Sequence, residues 1–381
     1  MKIAVNTRLL IKNKLDGMGW FTCESFKRIV QQHPEHEFYF LFDRRYDESF
    51  RFSPNVIPVV VYPPARHVIL YMIWFEISIP FVLRKIKPDL FVSPDGFLSL
   101  STHTPTVDVI HDLNFEHYPQ DLPKQVSRYY RYFFPRFARK AIRLATVSRY
   151  SRKDIAAQYG ISPEKIDVVY NGANLAFCPL DTLQQQAVRD EYTGGCPYFI
   201  FIGSLHPRKN LASLFAAFDR FREQVPSPCK LMIVGSRMWW TPALRQSYDS
   251  MKHRDDVIFT GRIILQELHR VLASALALTY VSYFEGFGIP VVEAFACNTP
   301  VIASNSTSLP EVAGDAALLV DPFSTDQITQ AMVRIFSDPQ LRSELMAKGM
   351  EQGKKFSWDK TAVLLWSTIE KALQDIQIPK P

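Results

Sequence analysis

Short runs of β-branched and aromatic residues recur along almost the whole chain, each separated from the next by a stretch with helical apolar spacing. No other feature constrains the fold as tightly. This alternation belongs to parallel sheets joined by crossover helices, so the fold class is α/β. In the first half, strands are predicted at Ile3–Asn6, Glu37–Phe42, Val56–Val61, Leu90–Val92, Thr106–Ile110, Leu144–Val147 and Ile166–Val169. In the second they are predicted at Tyr198–Ile202, Lys230–Val234, Val257–Phe259, Ala275–Tyr280, Val301–Ala303 and Ala317–Val320. The run Tyr192-Thr193-Gly194-Gly195-Cys196-Pro197 has the composition of a linker, which puts a domain boundary at 192/193. Two α/β units of similar size, without internal repetition, are expected to form two facing Rossmann-like domains. Open sheets of this kind bind ligands at the carboxyl ends of their strands, so the chemistry belongs in the post-strand loops.

Composition narrows the class further. With 381 residues, 47% hydrophobic and 22% charged, the chain is neither disordered nor a small disulfide-stapled module. Its five cysteines (Cys23, Cys178, Cys196, Cys229, Cys297) are scattered and never in a CxxC pair, which favours a reducing compartment and argues against a cysteine-based zinc site. The N-terminus carries no basic leader before a long apolar run, so no signal peptide is expected and the reading is cytoplasmic. Val68 to Leu83 is the longest apolar stretch, but Glu76 and Pro80 interrupt it and it is shorter than the roughly 20 residues a span requires. A buried or surface-lying helix is expected there. The net charge of +6 is mild, yet Lys124 to Lys153 holds ten Lys or Arg and no acid. Such a bias suits a membrane surface, a nucleic acid or a phosphorylated ligand.

Four post-strand loops carry polar or glycine-rich signals. Asp16-Gly17-Met18-Gly19-Trp20-Phe21 precedes a helix; Gly17 and Gly19 allow backbone amides to approach a phosphate or sugar, and a plain turn accounts for them equally. His111, opening His111-Asp112, sits where a cleft is expected, with a core histidine bonded to a backbone carbonyl as the alternative. Gly203-Ser204-Leu205-His206-Pro207-Arg208-Lys209-Asn210 sets two cations beside a helix start, which suits a diphosphate. Glu285-Gly286-Phe287-Gly288-Ile289-Pro290-Val291-Val292-Glu293 places one carboxylate in a loop and a second, eight residues on, in what is expected to be the first turn of a helix begun by Pro290. There it would be stabilised by the helix dipole while accepting from the two hydroxyls of a ribose.

At these residues the sequence resembles the GT-B glycosyltransferases of family GT4, a retaining group marked by a Glu-x7-Glu motif. The likeness runs from Gly203 to Pro322 and includes Gly261-Arg262, Thr299 to Ser304 and Ser308-Leu309-Pro310-Glu311-Val312. It continues more loosely through Gly17–Gly19, His111-Asp112, Thr146-Val147-Ser148 and Val169-Tyr170-Asn171-Gly172. The resemblance implies an N-terminal acceptor domain over 1–192, a nucleotide-sugar domain over 193–358 and a helix over 359–381 that crosses back to the first. It also implies roles: Arg208 and Lys209 neutralise the departing diphosphate, Glu293 holds the ribose, and Gly261, Arg262 and Ile263 face the base. Gly203, Ser204 and Ile289 complete the donor loops. Glu285 with the amides of Gly286, Phe287 and Gly288 holds the donor sugar, and His111 touches it from the other domain. The catalytic set is then His111, Glu285, Arg208 and Lys209. No Asp-x-Asp triplet occurs, and the two cations can replace a metal, so neither metal nor cofactor is expected. Asn298 stands where the family often has glycine, and asparagine tolerates the left-handed backbone of a helix C-cap.

The form of the loops is most similar to mannosyltransferases of bacterial surface polysaccharides. GDP-mannose is the first choice of donor and a UDP-sugar the second, with a glycan or polyprenyl-diphosphate-linked glycan as acceptor. In the stretch 124–153, Tyr129, Tyr130, Tyr132, Phe133, Phe134, Phe137 and Tyr150 lie among the cations, which suits peripheral docking at anionic headgroups on the inner face of the cell membrane; a helix with an aromatic core face and a solvated basic face is the alternative. A catalytically silent nucleotide-sugar binder is a further reading. Nucleic-acid binding is disfavoured, since no recognition motif accompanies the basic stretch.

Overall fold

Ile3, Ala4 and Val5 are wholly buried, and so are Phe199, Ile200 and Phe201 in the second half; strands apolar on both faces need helices on both sides. The computed structural model describes residues 1–236 and 239–377 and supplies that arrangement twice. In the first unit, β1 (Lys2–Asn6), β2 (Glu37–Phe42), β3 (Val56–Val60), β4 (Leu90–Ser93), β5 (Thr106–Val109), β6 (Arg143–Thr146) and β7 (Ile166–Val168) form one parallel sheet in the order β3-β2-β1-β4-β5-β6-β7. In the second, β8 (Tyr198–Ile202), β9 (Lys230–Val234), β10 (Val257–Gly261), β11 (Ala277–Tyr280), β12 (Val301–Ser304) and β13 (Leu318–Val320) pair in parallel as β10-β9-β8-β11-β12-β13. Register is set by apolar partners: Ile3 lies between Phe38 and Leu90, and Phe199 between Leu231 and Ala277. In each sheet the direction of strand addition reverses beside the first strand, between β1 and β4 and between β8 and β11. Loops leaving those strands diverge and open a crevice within the unit.

The unit boundaries differ from those expected. The first unit is Met1–Asn171 completed by the helix Trp358–Gln377, and the second is Gly172–Ser357. The glycines read as a linker instead end a helix, Thr182–Thr193, with Gly194 at φ 61° as its cap. That helix belongs to the second unit: Arg189 Nε donates to the Ser274 carbonyl (3.1 Å), and the Tyr192 hydroxyl donates to Glu267 (3.0 Å). The closing helix joins the first unit, where Asp359 pairs with Arg28 (2.5 Å) and Trp366 stacks on His33 with ring centroids 3.7 Å apart.

The stretch 124–153 has the form of the second reading given for it. Its helix Lys124–Lys140 turns Tyr129, Phe134 and Phe137 into the core and partly buries Tyr130 and Phe133, so the aromatics serve packing. Of that helix's aromatic rings only Tyr132 is exposed, and Arg136 lies 3.6 Å over it. The cations do face solvent, as a solvated basic face. Among the described residues no helix is long and apolar enough to cross a membrane.

Candidate active site

The second unit's crevice is built around one buried carboxylate. Glu285 follows β11, and Arg208 and Lys209 follow β8, so the strand order sets them opposite each other. Arg208 donates to one Glu285 oxygen at 2.6 Å and to the Phe284 carbonyl at 2.9 Å. Lys209 donates to the other oxygen at 2.5 Å and to the Tyr280 hydroxyl at 2.5 Å. Burial alone pushes the Glu285 carboxyl up, but Arg208 and Lys209 outweigh it and hold the group at about 2. Glu285 and Lys209 are buried, whereas Arg208 keeps 23% of its side chain exposed. One anion against two cations leaves an excess positive charge facing the crevice, with a planar fork and a point charge suited to a diphosphate.

Local sequence fixes this geometry. Pro207–Lys209 forms a 3-10 turn entered from His206, whose Nδ1 accepts the Arg208 N–H (3.3 Å). Burial, and then Arg208 and Lys209, lower the His206 pKa to about 4, so it stays a neutral acceptor. Asn210, at φ 58°, ends the turn, and its side-chain amide donates to the carbonyls of Val281 (3.1 Å) and Pro322 (2.6 Å), tying the loop to the ends of β11 and β13. On the other side, the Thr307 hydroxyl accepts the Glu285 N–H (3.1 Å), while the Ser308 hydroxyl donates to the carbonyls of Glu285 (2.9 Å) and Phe287 (3.3 Å). Gly286, Phe287 and Gly288 are buried. Gly288 sits at φ 100° and caps the helix Ile289–Ala296, where a Cβ would also press to 2.6 Å from Leu309. Asn298 adopts φ 54° just beyond that helix, the left-handed residue expected of it.

Glu293 is the fifth residue of this helix, so it lies in the second turn and not the first, and the helix dipole does little for its charge. Its carboxyl is partly buried, has no hydrogen-bond or ion-pair partner among the described residues, and is pushed up by burial to about 8. Burial thus favours its protonated form at pH 7. Ser204 and Arg262 are exposed, and Gly203, Gly261, Ile263 and Ile289 partly so, at the ends of β8 and β10 and the start of the helix. Between those two strands lies Gly235, which sequence reasoning did not single out. A Cβ on Gly235 would fall 1.8 Å from the Gly203 carbonyl oxygen, so the ends of β8 and β9 meet backbone to backbone.

In the first unit the structure brings His111 beside the start of the helix Gly17–Gln32. Gly17 and Gly19 are helical residues, not loop residues, and Asp16 caps the helix by accepting the Gly19 N–H (2.8 Å). That amide is therefore committed and cannot also cradle a phosphate. The ring of Phe21, from the same helix, meets His111 edge-on with centroids 5.0 Å apart. His111 is partly buried, and its Nε2 donates to the Pro94 carbonyl (2.9 Å), as the core-histidine alternative supposed. Burial lowers its pKa and so favours the neutral ring, in which Nδ1 is an acceptor. Beneath it, Arg8 pairs with Asp95 (2.6 Å), which also accepts from Asn6 (2.9 Å), and the rings of Phe97, Tyr71 and Phe75 close over Arg8 at 4.4, 5.4 and 5.7 Å. This buried pair was not expected either. Among the described residues, metal-ligand spacing occurs in His33, Glu35 and His36, in the turn before β2 at the opposite end of the sheet from His111.

Two family models divide the chain between them. The model described as Glycosyltransferase Family 4 matches residues 17–177, and that described as Glycosyl transferases group 1 matches 186–352. The chain is a glycosyltransferase that carries these two domains in succession. It is 29% identical to O-antigen chain mannosyltransferase B of Escherichia coli, over 73% of each chain. It is 32% identical to O-antigen chain mannosyltransferase RfbU of Salmonella typhimurium, over 56% of each, so that match takes in just over half of the relative. The structure of Anabaena HepE in complex with UDP-glucose superposes with a TM-score of 0.76 at 18% identity, covering 97% of this chain and all of that one. That likeness establishes the GT-B fold of this glycosyltransferase: two Rossmann-like domains with parallel sheets of seven and six strands.

Proposed function

We propose that this glycosyltransferase moves mannose from GDP-mannose, with retention of configuration, to a glycan or polyprenyl-diphosphate-linked glycan in bacterial surface polysaccharide synthesis. The observation that carries the reading is the Arg208–Lys209–Glu285 cluster at the ends of β8 and β11, two cations on one buried carboxylate beside an unpartnered Glu293. The choice of mannose rests on the names of the relatives, and a UDP-sugar is the second donor, favoured by the HepE complex.

Arg208 and Lys209 take the diphosphate and stabilise its charge as it leaves. Glu285 holds the two cations in place and accepts from the sugar's hydroxyls, with the Gly286–Gly288 loop beside it. Glu293 accepts from the ribose hydroxyls, and Gly261, Arg262 and Ile263 face the base. His111 offers Nδ1 to a sugar hydroxyl. The bond between the anomeric carbon and the diphosphate oxygen breaks, the acceptor oxygen bonds to that carbon on the same face, and its proton passes to the departing phosphate oxygen. Rate comes from positioning and electrostatics, with the side-chain cations in place of a metal. Because a lipid-linked acceptor lies at a membrane, the protein works at the membrane's inner face.

The test is release of nucleoside diphosphate from GDP-mannose, GDP-fucose, UDP-glucose, UDP-galactose and UDP-N-acetylglucosamine, each with EDTA, beside Glu293→Ala. Release from GDP-mannose that disappears in the variant is the expected result. Release from UDP-glucose alone moves the donor to the second choice, and absence of both turnover and donor binding overturns the reading.

A further inference from the structure

The stretch Val68–Ile86, too short to span a bilayer, is two α-helical segments, Val68–Ile73 and Ile79–Ile86, joined by a π-helical turn over Trp74–Ser78. One face is anchored: Trp74, Phe75, Ile79 and Leu83 are buried, and Trp74 Nε1 donates to the Val61 carbonyl (2.8 Å). The opposite face is apolar and bare. Ile69 (65% exposed), Met72 (44%), Ile77 (65%) and Phe81 (58%) lie along it, with Tyr62 (60%) close in sequence. The π turn keeps them aligned. An i→i+5 turn takes one residue more than an α turn, so the five-residue step from Met72 to Ile77 and the four-residue step from Ile77 to Phe81 each complete about one turn.

The exposed charges between Tyr62 and Pro88 have one sign. Arg66, Arg84, Lys85 and Lys87 are exposed, and Lys85 Nζ sits 4.3 Å over the Phe81 ring. Glu76 is the sole acid between Tyr62 and Pro88, and it is turned inward, accepting from the N–H groups of Leu100 and Ser101 (2.9 Å each) and from the Ser101 hydroxyl. An apolar row flanked by cations, with its one acid withdrawn, fits lipid tails bordered by anionic headgroups. A water-facing helix has no use for four such side chains in one row. We infer that Ile69, Met72, Ile77 and Phe81 insert into the surface of an anionic bilayer, with Arg66, Arg84, Lys85 and Lys87 on its headgroups, and that this stripe rather than 124–153 is the membrane-docking surface. The inference rests on the proposed function only in taking the bilayer to be the one where the glycan is assembled.

The test is co-sedimentation of the full chain with vesicles of equal parts phosphatidylglycerol and phosphatidylcholine, and with phosphatidylcholine alone. Wild type should bind the anionic vesicles much more tightly. The double substitution Ile77→Asp with Phe81→Asp should weaken that binding by roughly 30-fold or more, and Ile77→Leu with Phe81→Leu should keep it. Arg84→Ala and Lys85→Ala should each cost about fivefold, recovered by neither salt nor neutral lipid. All these residues are exposed, so an unchanged melting temperature checks folding. Wild-type-like binding by the aspartate variant overturns the inference, as does no binding by wild type. So does a variant that only converts a dimer to a monomer in sedimentation equilibrium, which makes the stripe's occupant a second copy of the chain. Diphosphate release from soluble donor should be equal in all variants; if it is absent in wild type while vesicle binding persists, the donor reading fails and the stripe stands.

Discussion

The two units place an arginine–carboxylate pair at the same topological position and use it differently. In the first, Arg8 follows β1 and Asp95 follows the neighbouring β4; in the second, Arg208 follows β8 and Glu285 follows the neighbouring β11. Each pair bridges the crevice where strand order reverses. The first is sealed, with 7% and 2% of its side chains exposed under three aromatic rings, while Arg208 of the second keeps 23% open and is joined by Lys209. The fold thus supplies the place for a charged pair, and what covers it decides whether the charges are sealed in the core or left open to solvent.

Replacing one partner in each crevice is the most direct way to break this comparison. Asp95→Ala leaves Arg8 buried and unpaired, and should cost about 3–5 kcal/mol in denaturant unfolding with no change in nucleotide affinity of the folded protein. Arg208→Ala should do the reverse: turnover drops by about 10² to 10³ through lost stabilisation of the leaving group, with a smaller loss of stability. If Asp95→Ala weakens nucleotide binding in folded protein, the sealed pair is part of the site and the contrast fails.

Acid strength sharpens it further. Glu285 lies below its usual range, so its contribution to stability is present above the unfolded carboxylate range and is lost as pH falls toward 2. Glu293 lies above its usual range, so its contribution is present below the unfolded range and is lost as pH rises through about 8. The same ionisation is what a ribose diol needs in order to donate two hydrogen bonds. Nucleotide affinity should therefore climb by up to about tenfold per pH unit between pH 6 and 8 and level off above, and Glu293→Gln should flatten the slope in calorimetric titrations. Smallest is Ser308→Ala, which removes the hydroxyl donating to the Glu285 and Phe287 carbonyls and should cost about 1 kcal/mol.

Which of these residues can be read from sequence follows from how local their causes are. Every strand is found because apolar or β-branched residues predominate in a short run between helical stretches, even where an acid interrupts it as at Asp108 and Asp167; Tyr198–Ile202 and Lys230–Val234 are read to the residue. Glu285, Arg208 and Lys209 are visible because loop glycines and charges sit together beside a helix start. Arg8–Asp95 is not, since its partners are 87 residues apart and nothing near either marks the other. Gly235 is missed because its need arises from the Gly203 backbone on another strand. The start of the helix at Gly17 is missed because two glycines disfavour a helix, and the Asp16 cap together with buried Phe21 and Phe26 overrides that preference. Glu293 shifts from the fourth helical residue to the fifth, out of the first turn, because the helix starts at Ile289 behind its cap Gly288, a boundary that composition does not locate. The boundary at 171/172 is hidden because glycines that end a helix look like glycines that separate domains.

The closing helix has a consequence for how the protein is made. Ala362, Leu365, Ile369 and Ala372 are wholly buried in the first unit, which is therefore short of a helix until every residue of Gly172–Ser357 has been synthesised. The second unit is continuous in sequence and has all its strands and helices by Ser357. On the ribosome, the half begun first is finished last, and the apolar surface that waits for Trp366 stays wet throughout the interval.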